Sequence, residues 1–192
     1  MREGRRITLE EVAHHEAAHA VLHFFQQLPV RRITIQPEVG SLGYVEIRRP
    51  QWFVTPETPV QEDRQRIYAE REIIALYAGR IAQAKYARKR IHRGYESDEY
   101  QIADIASSVI SLDDETRYPF LIYCRKLSAS LVERYWPYIE AVAQALVERK
   151  QLRPAQFRQV IADVPVAVIR AHQARRALAA KQKEGRHHGT GQ

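Results

Sequence analysis

Residues 15 to 19 read His-Glu-Ala-Ala-His. On a helix, imidazoles four residues apart fall on one face about one turn from each other and reach the same ion. Neutral imidazole is a common zinc ligand, and Glu16 sits one residue after the first of the pair, where its carboxylate meets a water on the metal. Zinc lowers the pKa of such a water toward about 7, and the carboxylate takes its proton as the oxygen attacks a peptide carbonyl. The expected chemistry is therefore zinc-dependent peptide hydrolysis, with His15 and His19 on the metal and Glu16 as general base. With 8 His and 17 Glu in 192 residues, random placement yields His-Glu-x-x-His in roughly 3 of 100 chains, so the motif carries weight without standing alone.

A catalytic zinc usually takes three protein ligands and keeps one position open. No His-x-x-Gly-x-x-His extension follows the motif, so the third ligand must come from a distant segment. His92, Glu96, Asp98, Glu99 and Asp104 cluster near a break between two expected helices, and spacing does not choose among them. His23 continues the stripe of His15 and His19 but lies a turn too far to converge on the same ion, so it is expected in the core or behind the ligands. His14 points off the stripe and is expected at the surface.

The elements that must position these groups read mainly as helix. Thr8-Leu9-Glu10-Glu11 has the form of a capping box, which starts an amphipathic helix running to about Gln27 and stopped by Pro29. Val30–Gln36 and Leu42–Arg48 read as two strands joined at Gly40-Ser41. Arg49 to Pro59, with three prolines, reads as an irregular connection. A helical apolar spacing runs from Gln61 to about Arg90 and is broken at Arg93-Gly94. Ser97 reads as the N-cap of a helix through Ile102, Ile105, Val109 and Ile110. Helices are expected over Thr116–Arg134 and Pro137–Lys150, with Pro119 and Pro137 in first turns. Two short ones follow at Pro154–Ala162 and from Pro165 to about Lys183, ahead of a disordered tail. Cys124, Tyr123, Tyr135 and Trp136 are expected to pack in the core. The fold class is mainly α with a small β-sheet.

Composition narrows the function classes. The 45% hydrophobic and 28% charged content is that of a soluble globular chain. A single cysteine excludes an internal disulfide and a cysteine-based zinc site, and suits a reducing compartment. No run approaches the roughly 18 apolar residues of a membrane span, and no apolar secretory core follows the N-terminus, so the expected location is cytoplasmic. The net charge of +7 is concentrated at the end: from Val166 six basic residues face only Glu184, while the rest of the chain is nearly balanced. A nucleic-acid binder spreads basic groups over a contact face, so that function is not expected. The division is a domain over residues 1–165 and a basic helix with its tail over 166–192.

Five segments together resemble the peptidase domain of the FtsH family, the membrane-anchored ATP-dependent zinc proteases. HEAAHAV (15–21) is similar to that family's HEAGHA segment, and VRRITIQPEVGSLGYVEI (30–47) to its strand, loop and LGY strand. IIALYAGRIAQ (73–83) resembles its Gly-Gly-Arg-Ala-Ala-Glu helix, with Ala78 in place of the first Gly and Gln83 in place of the Glu. GYESDEYQIADIA (94–106) aligns with its GASND segment, and YWPYIEAVAQALVERKQL (135–152) with its C-terminal helix. The resemblance covers about residues 8 to 163 and implies the family's helical fold, a zinc cofactor and Asp98 as the third ligand. Nothing in the 192 residues resembles the family's ATPase module. The expected substrate is a peptide or unfolded protein, with a homo-oligomer or a separate ATPase as partner. If the second strand is a sheet edge beside the metal, Leu42, Gly43, Tyr44 and Val45 would hold an extended substrate by strand addition.

Overall fold

The computed structural model describes residues 7–38, 42–55, 57–88, 96–109 and 114–188. The first helix, α1 (Leu9–Phe25), opens on the expected capping box: the Glu11 amide donates to Thr8 Oγ1 at 3.2 Å and the Thr8 amide to Glu11 Oε2 at 2.9 Å. Its chain direction is reset by Gln27, in the left-handed region at φ 63°, two residues before Pro29. Every residue from Glu11 to His23 is buried, so α1 is a central helix and not the amphipathic one expected. Its alanines at 13, 17, 18 and 20 let neighbours close in on all sides.

Two long helices do so. α3 (Pro59–Ala87) is capped by the Thr58 side chain with Pro59 in its first turn, and ends at Arg88, φ 51°. α5 (Asp114–Arg149) is one continuous helix of 36 residues, where two were expected. Pro119 and Pro137 lie inside it. An interior proline costs about 3 kcal/mol. Fully buried Val132, Ile139, Val142, Ala143 and Leu146 straddle Pro137, and each large aliphatic contributes roughly 1.5–3 kcal/mol, so packing outweighs the lost hydrogen bond. α1, α3 and α5 pack against one another, and their shared face is the main core.

The sheet is antiparallel with order β2-β1-β3, formed by β1 (Val30–Thr34), β2 (Tyr44–Ile47) and β3 (Gln151–Leu152). Ile33 is the pivot, opposite Val45 on one side and Leu152 on the other. β2 is therefore an edge strand. The expected turn at Gly40-Ser41 falls outside the described residues. β3 was not foreseen: two residues after Lys150, itself at φ 65°, are too short for a periodic signal. The connection after β2, expected to be irregular, holds a short helix, α2 (Gln51–Val54), whose Phe53 is buried.

α4 (Glu96–Asp104) continues into a π-helical turn over Ile105–Val109. Ser97 is the second residue of α4 and not the expected cap, while Arg93-Gly94 and Ile110 lie outside the described residues. α6 (Pro154–Asp163) and α7 (Val166–His188) are the last described elements, and Gly185 to His188, expected in a disordered tail, are helical. Among the described residues no helix is long and apolar enough to cross a membrane. The architecture is mainly helical with one small antiparallel sheet.

Candidate metal centre

α1 delivers His15 and His19, and α4 brings Asp98 to them across 79 residues of sequence. His15 Nε2 and His19 Nε2 are 2.9 Å apart, and Asp98 Oδ2 lies 3.0 Å from the first and 3.4 Å from the second. A tetrahedral ion with bonds of about 2.0–2.1 Å spaces its ligand atoms about 3.3 Å apart, close to what these three show. The group is 5–8% exposed.

Hydrogen bonds behind the ligands decide what they can hold. His19 Nδ1 donates to the Ala75 carbonyl at 2.8 Å, and His15 Nδ1 to Gln83 Oε1 at 3.3 Å. Both acceptors sit on α3. With the protons fixed on Nδ1, each neutral ring turns a bare Nε2 lone pair inward, toward the other and toward a carboxylate oxygen. Three lone-pair donors converging in a buried space need a cation. Without a metal a proton fills that role: burial alone would lower the His19 pKa, but Asp98, Glu16 and the Ala75 carbonyl raise it to about 9. Asp98 is held well below the usual carboxylate range, since the two imidazoles outweigh the burial that opposes its charge. These donors fit a divalent metal ion.

Compared with protein-family models and with curated proteins, the chain matches none.

Glu16 is buried beside the ligands without joining them. Burial raises its pKa, His15 and His19 pull it down, and Asp98 pushes it up again. Its carboxylate faces a cleft of about 770 Å³ that also exposes His15, His19 and Asp98 and is walled by residues 42 to 47. Leu42, Gly43, Tyr44 and Val45, the expected substrate strand, thus line the same cleft as His15, His19 and Asp98. Gly43 is there for closeness: a Cβ on it would stand 2.7 Å from the Thr34 carbonyl and 2.9 Å from Glu16 Cγ.

Of the four described candidates for third ligand, only Asp98 joins the pair. Glu99 turns away to Arg80 at 2.7 Å, Glu96 and Asp104 are outside the cluster, and His92 lies outside the described residues. His23 is buried in the core, with both ring nitrogens lacking a hydrogen-bond partner. His14, expected at the surface, is buried: it donates to the Glu10 carbonyl at 2.7 Å and stacks on Tyr86 at 3.9 Å. Cys124 is fully buried and Tyr135 and Trp136 pack on the core, but Tyr123 is half-exposed and reaches Glu70.

Gly79 is a further residue of the site. A Cβ on it would stand 2.4 Å from His19 Nε2 and 2.6 Å from His15 Nε2, so α3 presses its bare backbone onto the ligand atoms. A glycine inside a 29-residue helix was the available signal, since an interior glycine costs about 0.8–1.0 kcal/mol against alanine and wants a reason.

Proposed function

We propose that this chain is a zinc metalloendopeptidase that hydrolyses peptide bonds in peptides or unfolded proteins, built like the peptidase domain of the FtsH family. The observation that carries the reading is the convergence of two Nε2 lone pairs and one carboxylate oxygen, with the unliganded Glu16 carboxylate in the same cleft. His15, His19 and Asp98 would hold the ion. Zinc, when bound there, supplies Lewis acidity toward a carbonyl and a water whose pKa is lowered toward about 7.

The remaining work falls to the chain. Glu16 accepts the proton of the attacking water and returns it to the departing amine, one carboxylate serving as base and then as acid. Gln83 and the Ala75 carbonyl keep both imidazoles in the tautomer that faces inward. β2 is a sheet edge and lines the cleft, so an extended peptide can pair with it through backbone hydrogen bonds and be held across the metal. Recognition of that kind reads backbone more than side chain. It suits substrates already extended, and folded ones would need a separate ATPase to open them.

The test joins zinc analysis to cleavage of an unfolded protein such as casein. Wild type is expected to carry about one zinc per chain and to cleave. The His15→Ala, His19→Ala double variant is expected to lose both. A double variant that keeps its zinc refutes the site, and zinc-loaded wild type without cleavage on any unfolded substrate refutes the activity.

A further inference from the structure

A second cavity, of about 710 Å³, opens where the end of α1, the segment leaving β2 and the first half of α3 meet. It shares no lining residue with the metal cleft. Arg64, Ile67, Tyr68 and Arg71 reach it from successive turns of α3, and Arg48 from the end of β2. All three arginines are exposed, no carboxylate lines the cavity, and among the described residues none of the three has an ion-pair partner within 4.0 Å. Like charges gathered around one concavity repel one another, and an anion seated between them removes that cost.

The walls are fixed in advance. Gln26 Nε2 donates to the Arg71 carbonyl at 3.1 Å while Arg71 Nη1 donates to the Gln26 carbonyl at 3.3 Å, a reciprocal clasp between α1 and α3. Tyr68 Oη donates to the Arg48 carbonyl at 3.3 Å, and Gln65 Nε2 to the Phe53 carbonyl at 2.6 Å, pinning α2 onto α3. Trp52 stands edge-on to Tyr68 with ring centroids 5.8 Å apart and lines the cavity, as do Gln27 and Gln51.

We infer that this cavity binds a nucleotide, its phosphates held by Arg48, Arg64 and Arg71 and its base lying against Trp52. A guanidinium fork matches phosphate oxygens two at a time, which a point charge does not. A tryptophan offers a flat apolar surface for a base, and the side-chain amides can both give and accept hydrogen bonds at its edge or at the ribose. A cavity of this volume is in the range of small-molecule sites. The chain contains no Gly-x-x-x-x-Gly-Lys-Ser/Thr loop, so the inference is of binding without hydrolysis. It stands independently of the peptidase reading.

The full chain is titrated calorimetrically with ADP at low salt, with adenosine, pyrophosphate and poly-glutamate as comparison ligands. ADP is expected to bind more tightly than adenosine or pyrophosphate by about tenfold or more, since each supplies half of the contacts. Arg48→Ala and Arg64→Ala should each weaken ADP on the order of tenfold. Trp52→Ala should weaken ADP and leave pyrophosphate unchanged. Unaltered thermal unfolding and far-UV circular dichroism show that each variant is folded; Arg64→Gln, an exposed change in mid-helix, replaces any that is not. The inference is overturned by absence of ADP binding at millimolar concentration, or by pyrophosphate binding as tightly as ADP. It is equally overturned if poly-glutamate competes better than ADP for the same arginines, which would make the cavity a docking site for an acidic peptide.

Discussion

Replacing Gly79 by alanine adds one methyl group at a place where the structure leaves none. The new carbon would lie 2.4 Å from His19 Nε2 and 2.6 Å from His15 Nε2, against an ordinary carbon contact of about 3.5–4.0 Å, so both rings must retreat by about 1 Å. Metal–ligand bonds tolerate about 0.2 Å. Losing a partner behind a ligand already costs about 10–100-fold in metal affinity, and displacing two ligands should cost at least about 100-fold. Folding responds in the opposite sense. The obstructing atoms are side-chain tips that can swing, and alanine is favoured over glycine inside a helix by about 0.8–1.0 kcal/mol. The metal-free variant should be as stable as wild type or slightly more so. Chelator competition gives the zinc affinity, and urea unfolding in excess chelator gives the metal-free stability. Wild-type zinc affinity in Gly79→Ala would refute the claim that α3 seals onto the ligand atoms. A marked loss of metal-free stability would show that backbone, and not the rings, had to move.

Glu16→Gln should keep its zinc and lose about 10²–10⁴-fold or more in peptide turnover, because an amide cannot take the proton of the attacking water; paired zinc analysis and turnover check it, and near-wild-type turnover would remove Glu16 from the role of base. Gln83→Glu should tighten zinc by about tenfold, since a carboxylate accepting from His15 Nδ1 makes the ring a stronger donor; chelator competition showing equal or weaker binding would contradict this. His23→Leu should flatten the acid limb of the metal-free stability curve. Burial, aided by the neighbouring His19 charge, lowers the His23 pKa to about 3, so below its unfolded value near 6.5 the unfolded chain binds the proton and stability falls as pH drops. Urea midpoints in excess chelator should show wild type losing roughly 2 kcal/mol more than His23→Leu between pH 6.5 and 4.5, and parallel curves would mean that His23 titrates freely.

What could be read in the sequence was what is local and periodic. The Thr8–Glu11 box, the i, i+4 histidines, the β-branched run of β1 and the alternation of β2 each carry their signal within a few residues. The third member of the cluster is different in kind: Asp98 reaches His15 through the packing of α4, and four other side chains had equal claim by spacing. Only a resemblance to a family selected it. The break expected before Pro137 followed a valid local rule that core burial along α5 overrode. His14 was misplaced because helical phase assigns a surface only when a helix has an exposed side, and α1 is enclosed. β3 owes its existence to Ile33 and Thr34 across the sheet, not to its own two residues.

α4 and the turn after it are thinly attached: among their described side chains only Asp98, Ile102, Ile105 and Ala106 are buried. One of those four anchors is Asp98, a member of the group that could hold a metal ion. A metal that binds only the folded form stabilises it by about 4.1 kcal/mol at a thousandfold excess over its dissociation constant. That stabilisation is delivered where few other contacts act, so removing the ion should leave the α1–α3–α5 core standing while amide protons of α4 exchange early. With a metal held there, its supply would set the local order of one wall of the cleft, and a protease or a partner meeting the chain in a metal-poor setting would encounter a different surface.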